Sequence, residues 1–487
     1  MVKRILAVNV DRVLLPTLAT PDEREAIRFG SAVVTHADLA ASARAVAAGL
    51  AGASRVAVWA TPSLPTCLAV VGALTAGAAV VPVNPRIGER ELAHIVGDSA
   101  PDLVLAAPGD NLPAALAALP RRDIDPAERL DGPLPAEADQ EAPAFIVYTS
   151  GTTGPPKGVL LPRRAIATNL DALARAWEWT ADDVVVHALP LFHVHGLILG
   201  VLGPLRRGGA VRHTGRFDSA AIAAALADGA TMVFGVPTMY HRLAADCEAD
   251  ADLAAAIGRA RLLVSGSAAL PARDHARITA ATGQRVVERY GMTETLMNCS
   301  VRASGDRRPG TVGPPVDGVD VRLVDDAGVP IEASDGETVG EIEVRGPNLF
   351  LGYLNRPDAT AAALRDGWFR TGDMAVRDPD GYVRIVGRRA TDLIKSGGYK
   401  IGAGEIENAL LEHPGVAEAA VTGEPDDDLG ERIVAWIVPE DERPSEQDLA
   451  DHVAKLLAPH KRPRVVRYLE ALPRNEMGKV TKRALHA

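Results

Sequence analysis

An apolar run that ends abruptly in glycine and hydroxyl residues limits the fold of this chain more than any other feature. Ala144 to Ser150 reads AFIVYTS, rich in β-branched and aromatic residues, and runs on into GTTGPPKG. A buried strand must therefore break into a tight loop closed by one lysine, Lys157. Glycines in such a loop let backbone N–H groups approach an anion, the hydroxyls donate further hydrogen bonds, and the lysine adds positive charge, so the string suits phosphate. It is not a Walker A loop, because Pro156 stands where the glycine before the lysine would be and Gly158 replaces the hydroxyl residue after it. A lone Gly-Thr-Thr-Gly is as often a plain turn; the whole string from Tyr148 to Gly158 is far more specific.

Around this loop, helical patterns such as AIATNLDALARAW (Ala165 to Trp177) alternate with short β-rich runs such as ATMVFGV (Ala230 to Val236), which argues for an α/β fold. At 487 residues the chain exceeds what one hydrophobic core supports. A compositional break follows DPDGYVRIVGRRATD, where the Asp380–Gly381 turn should close a hairpin. Residues 1–388 are expected to form a large α/β domain with several sheets flanked by helices, and residues 389–487 a small α+β domain. In the latter, Ile406 and Leu410 share a helical face, Ile433 to Val438 reads as a strand, and Ser445 begins a helix with apolar Leu449, Val453, Leu456 and Leu457. Leu68 to Val83 reads as helix, Gly77 cap and buried strand; it is too short for a membrane span and contains Pro82. The stretch from Pro120 to Pro143 reads as a surface connection.

A formal charge of −11, with no basic stripe and no RNA-type aromatic motif, argues against nucleic acid as a partner. Any anionic ligand must meet a local basic pocket. Cys67, Cys247 and Cys299 are odd in number and widely spaced, which fits neither a disulfide framework nor a zinc site, and Asn9 and Asp11 interrupt the N-terminal apolar run before it could act as a signal peptide. A reducing cytoplasm is the expected compartment.

Tyr148 to Gly158 resembles the phosphate loop of the adenylate-forming superfamily, which includes acyl-CoA synthetases, luciferases and nonribosomal-peptide adenylation domains. Four more strings follow in the order of that family: ERYGMTE (Glu288 to Glu294), GWFRTGD (Gly367 to Asp373), IVGRRATDLIKSGGYKIGAGEIE (Ile385 to Glu407) and LPRNEMGKVTK (Leu472 to Lys482). The resemblance implies an ATP-dependent acid–thiol ligase in which two domains trap the substrates. Thr149, Ser150, Gly151, Thr152, Thr153, Gly154 and Lys157 would hold the ATP phosphates. Glu288 and Tyr290 would belong to the nucleotide site, with Tyr290 against adenine, Thr293 at the α-phosphate and Glu294 holding Mg²⁺. Asp373 would accept the ribose hydroxyls, with Arg388 as its partner. GRRATDLI carries one residue more than the common G-R-x-x-D-x-I pattern, which leaves the choice between Arg388 and Arg389 open, and with it a hinge at Ala390 or Thr391.

Lys479 matches the family lysine that bridges the carboxylate and the α-phosphate, and a lysine acetyltransferase acting on it is an implied partner. Gly397, Gly398 and Lys400 fall in the segment that resembles the coenzyme A tunnel. His193 in PLFHVHG matches a position near the reacting carboxylate, a packed histidine being the alternative. For the acid itself, Arg242, Ser267 and Arg289 occupy acyl-pocket positions where fatty-acid ligases need apolar side chains. Together they resemble malonyl-CoA and methylmalonyl-CoA synthetases, where an arginine pair and a serine receive a second carboxylate. The expected reaction joins ATP, a small dicarboxylic acid and coenzyme A into an acyl-CoA. A ligase for another short or medium acid, or an enzyme loading a carrier protein in trans, is the competing expectation. A non-catalytic nucleotide-binding protein would be expected to lack Lys157, Glu294 or Lys479, and all three are present.

Overall fold

The computed structural model describes residues 13–149, 155–389, 392–397, 399–474 and 480–486, and of Lys400 the backbone. A seven-stranded sheet runs in the order Gly352–Tyr353, Lys157–Pro162, Pro143–Thr149, Ala79–Val83, Arg55–Trp59, Leu103–Ala106, Arg121–Asp123. Its strands are parallel from Pro143–Thr149 onward, while Lys157–Pro162 returns antiparallel to Pro143–Thr149. Val56 and Val58 face one core and Ala57 and Trp59 another, so strands of this sheet are buried on both faces and read as unbroken apolar runs. The anticipated segment before Val83 appears as helix Leu64–Thr75, Gly77 at φ +82° and the fully buried strand Ala79–Val83.

An eight-stranded sheet has the order Leu296–Ser300, Val287–Met292, Leu262–Ser265, Met232–Gly235, Val184–His187, Ala210–His213, Glu25–Phe29, Ala32–Thr35, parallel inside with one antiparallel strand at each edge. The main core joins the two sheets through helices His36–Ala48 and Leu64–Thr75: Leu39, Val46 and Val70 pack in one cluster with Val56 and Val80 of the first sheet and Ile27 and Val211 of the second. The helix expected at Ala165 to Trp177 is Arg163–Trp177.

A third, antiparallel sheet contains Asp320–Val324, Gly340–Arg345, Trp368–Arg377 and Leu364–Arg365, with Val383–Arg388 paired to Trp368–Arg377. The turn of that last hairpin is closed at Asp378, whose carbonyl accepts the Gly381 N–H at 3.0 Å and whose carboxylate accepts the Tyr382 N–H at 2.8 Å. Sheet membership then changes between Arg388 and Leu393. The fourth sheet holds Tyr399–Gly402, Leu393–Ser396, Gly430–Pro439, Val416–Asp426 and Val465–Tyr468, around a core of its own that includes Ile394, Ile406, Leu410, Ile433, Leu449 and Val453. The architecture is a large mixed α/β region followed by a small α+β region.

Two expectations fail locally. Leu456 is 44% exposed, because the helix Glu446–Leu456 ends there and the chain turns extended at Leu457, which packs on the core instead. The connection after Pro120 contains a strand, Arg121–Asp123, paired parallel to Leu103–Ala106. Its charged sequence disguised it: an edge strand is held by backbone hydrogen bonds on one side and tolerates charges that an interior strand would not. No helix among the described residues is long and apolar enough to cross a membrane.

Candidate active site

The phosphate-loop string lies between two paired strands. Thr149 and Lys157 are register partners at the loop end of the hairpin formed by Pro143–Thr149 and Lys157–Pro162. Ser150, Gly151, Thr152, Thr153 and Gly154 lie outside the described residues. Both rims of the loop are tied to one helix, Glu89–Ser99: the Tyr148 hydroxyl donates to Asp98 Oδ2 at 2.7 Å, and His94 Nε2 lies 2.8 Å from the Pro156 carbonyl oxygen. Lys157 Nζ rests 4.2 Å from the centroid of the Tyr353 ring.

The strand Val287–Met292 brings the second group of residues, and its alternation sends neighbouring side chains to different surroundings. Glu288 is buried, and its two carboxylate oxygens accept the Leu270 and Gly310 N–H groups at 3.2 and 3.1 Å, so it braces two loops; burial pushes its pKa up to about 7. The Tyr290 hydroxyl donates to Asp373 Oδ2 at 2.6 Å, and Arg388 Nε donates to Asp373 Oδ1 at 3.1 Å. Asp373 and Arg388 face each other in register on antiparallel strands. Arg389 turns the other way, to Glu341 at 2.9 Å and Asp326 at 2.7 Å, so the arginine that meets Asp373 is Arg388. Ala390 and Thr391 lie outside the described residues.

Thr293 is half-buried at the turn that follows the strand, and Glu294 is buried. Glu294 Oε1 accepts the Tyr353 hydroxyl at 2.9 Å. Burial raises its pKa, offset in part by the Tyr353 hydroxyl and the charges of Lys157 and Arg388.

Arg289 lies in surroundings of a different character. It is 5% exposed, and its Nε and Nη2 have no hydrogen-bond partner among the described residues. A Cβ on Gly266 would stand 2.2 Å from its Cζ, so a side chain there would displace the guanidinium. Burial draws the Arg289 pKa down to about 9, which leaves it cationic at neutral pH. Ser267, exposed and held at φ +73°, places its Oγ 3.4 Å from His195 Nδ1.

His195 is buried, its Nε2 lacks a partner among the described residues, and burial followed by the Arg289 charge pushes its pKa well down, so the imidazole is neutral. It belongs to a buried π-helix, Val194–Leu202, a geometry often found at functional sites. His193 precedes that helix; its Nε2 is likewise buried without a partner among the described residues, and burial takes its pKa to about 4. Arg242 is exposed on the helix Pro237–Ala249. The structure thus places Arg289 and Ser267 beside His195.

Gly397 is exposed at φ +58°, with its N–H donating to the Leu429 carbonyl at 2.9 Å. Gly398, the side chain of Lys400 and Lys479 lie outside the described residues. The sequence reading missed His195 and Tyr353. PLFHVHG offers two histidines, and the one inside the apolar run HGLILGVL was the clearer sign of a deliberately buried imidazole. Tyr353 had no signal beyond its place in LGYLNRP.

A family model described as AMP-binding enzyme matches residues 17–354, and one described as AMP-binding enzyme C-terminal domain matches residues 405–479. A solved malonyl-CoA ligase, in a ternary product complex with methylmalonyl-CoA and AMP, is 67% identical, covers 94% of this chain and 100% of its own, and superposes with a TM-score of 0.75. The ATP-bound MatB of Rhodopseudomonas palustris is 35% identical over 98% of both chains, with a TM-score of 0.89. The malonate–CoA ligase of Arabidopsis thaliana is 37% identical across 89% of this chain and 77% of its own length. On these matches the chain belongs to the AMP-binding enzyme family, as an AMP-forming acyl-CoA synthetase that uses ATP and coenzyme A to turn a small carboxylic acid into its thioester through an acyl-adenylate.

Proposed function

We propose that the acid is malonate or methylmalonate, and that Arg289, Ser267 and His195 receive the carboxylate that does not react. One observation carries this reading: a guanidinium buried to 5% exposure with two nitrogens lacking a partner among the described residues. A buried cation without a counter-charge is costly, and an incoming carboxylate relieves that cost while gripping the planar fork. The neutral His195 beside it adds a polar contact without a competing charge. The names of the relatives, malonyl-CoA ligase and malonate–CoA ligase, point the same way. The resemblance also assigns Arg242 to this pocket, and its removal belongs in the test.

In the first half-reaction an oxygen of the other carboxylate attacks the α-phosphorus of ATP and pyrophosphate leaves. In the second the coenzyme A thiol attacks the acyl carbon and AMP leaves. Attack by one anion on another needs preorganised positive charge. Lys157 and the loop Thr149 to Gly154 are assigned to the phosphates, Thr293 to the α-phosphate, and Lys479 to the bridge between carboxylate and α-phosphate. Asp373, oriented by Arg388 and Tyr290, is assigned to the ribose hydroxyls, with Tyr290 beside adenine and Glu288 bracing the walls. Glu294 fits Mg²⁺, since its buried carboxylate keeps one oxygen beyond the Tyr353 contact. Mg²⁺ is commonly held by one or two carboxylates together with substrate phosphates and water, and Glu294 would supply such a carboxylate. When bound, Mg²⁺ neutralises charge on the phosphates.

His193 is assigned to the reacting carboxylate, and Gly397, Gly398 and Lys400 to the coenzyme A path. The domain division is proposed at 388/389 with the pivot between the half-reactions at Ala390 or Thr391, the cytoplasm is the proposed compartment, and acetylation of Lys479 by an acetyltransferase a proposed control. Pyrophosphate release and coenzyme A consumption across a panel of acids test the substrate reading. Malonate and methylmalonate should exceed acetate and butyrate by on the order of 10⁴-fold, the scale on which unpaired buried polar groups discriminate. A preference for octanoate, or an unchanged ranking of acids in Arg242→Ala, Ser267→Ala and Arg289→Ala alike, overturns it.

A further inference from the structure

Lys157 and Glu294 carry opposite charges on the same side of the site, and they are separated by one aromatic side chain. Tyr353 ends the two-residue edge strand Gly352–Tyr353, paired antiparallel to Lys157–Pro162 with Tyr353 opposite Val159. Its placement is fixed on several sides: its N–H donates to Thr360 Oγ1 at 2.9 Å, the next N–H, of Leu354, donates to the Gly158 carbonyl at 2.7 Å, and Phe350 meets its ring edge-on at 5.0 Å. The side chain is 8% exposed. From that fixed position its hydroxyl donates to Glu294 Oε1 at 2.9 Å while its ring face supports Lys157 Nζ at 4.2 Å.

We propose that Tyr353 is a positioning residue for adenylation, which holds Glu294 by its hydroxyl and Lys157 by its ring so that the two remain separately charged and available to the nucleotide. A direct ion pair between them would satisfy each with the other and would have to break whenever ATP enters. The ring removes that competition. A cation on an aromatic face is held by the quadrupole alone, far more weakly than by a phosphate, so Lys157 is parked where it can be captured. A carboxylate with one oxygen engaged by a phenol keeps its second oxygen free and its plane fixed, which is what a rigid Mg²⁺ shell requires. The inference rests on the reading that Lys157 serves the phosphates and Glu294 the metal.

Tyr353→Phe keeps the ring and removes the hydroxyl; Tyr353→Leu removes both. Calorimetric titration of ATP, in EDTA and in Mg²⁺, separates the two contacts without relying on turnover. Tyr353→Phe should leave metal-free ATP affinity near the wild-type value and reduce the gain in affinity conferred by Mg²⁺ by about tenfold, the scale of one hydrogen bond to a charged group. Tyr353→Leu should also weaken metal-free binding by several-fold, and Tyr353→Phe should therefore rescue one property and not the other. Thermal melts accompany each variant, and a lowered melting temperature with both affinities intact means a packing role only, which overturns the proposal. Equal losses in the two variants overturn it as well. Lys157→Ala and Glu294→Gln serve as controls on the underlying reading. If these two leave ATP and Mg²⁺ binding unchanged, the site assignment itself is wrong; if they abolish it while both Tyr353 variants match wild type, only the role of Tyr353 is wrong.

Discussion

Replacing Arg289 by methionine tests the dicarboxylate pocket through two effects of opposite sign. The residue is 5% exposed, and its Nε and Nη2 find no partner among the described residues, so its burial carries a desolvation cost that no described group offsets. Methionine fills a similar volume without charge. Removing a buried unsatisfied group recovers about 1–3 kcal/mol, so the unliganded enzyme should gain stability and melt a few degrees higher. Catalysis should move the other way. Truncating one partner of a buried charge pair costs about 2–5 kcal/mol, which at about 1.4 kcal/mol per decade lowers kcat/KM for malonate by roughly 30- to 5,000-fold. Acetate and butyrate, which bring no second carboxylate, should lose little or gain. The assays are thermal melts with and without malonate, and coenzyme A consumption across the acids. Malonate should raise the melting temperature of the wild type and not of the variant. A variant that melts lower than wild type and keeps the wild-type ranking of acids would refute the reasoning, because Arg289 would then be a satisfied structural residue.

Two further outcomes are expected. Lys479→Ala should block pyrophosphate release yet still convert supplied malonyl-AMP to the thioester, since the lysine is assigned only to the step that forms the anhydride; equal loss in both assays would contradict that assignment. Glu288 has a folded-state pKa of about 7, above the ordinary carboxyl value of 4.5, so it takes up a proton on folding between those limits. The stability it contributes is fully present below 4.5 and is lost as pH rises through about 7, and Glu288→Gln should flatten that part of the stability–pH curve measured by denaturant titration. An unchanged slope would show that the backbone N–H groups on its oxygens hold the folded pKa near the ordinary value.

The sequence by itself determined the class of fold, the change of composition near Arg389 and the five strings that carry the family chemistry. Those are local properties. A strand that ends at a glycine- and hydroxyl-rich string, a hairpin turn at Asp380–Gly381 and a helix begun by Ser445 depend on contiguous residues, and contiguous residues are what a sequence displays. What the tertiary structure alone decided concerns the direction of side chains and contacts between distant segments. Arg388 and Arg389 are adjacent and chemically equal, and only the pleat of the strand sends the first to Asp373 and the second to Glu341 and Asp326. His195 meets Ser267 across 72 residues, and Tyr353 meets Glu294 across 59, so no local pattern announces either pair. Arg289 could be recognised as an unusual residue in its strand, but that its Nε and Nη2 find no partner among the described residues is a property of everything packed around it. Burial is set by all surrounding elements at once, and a cation becomes a binding group only when the fold withholds from it both water and a counter-charge.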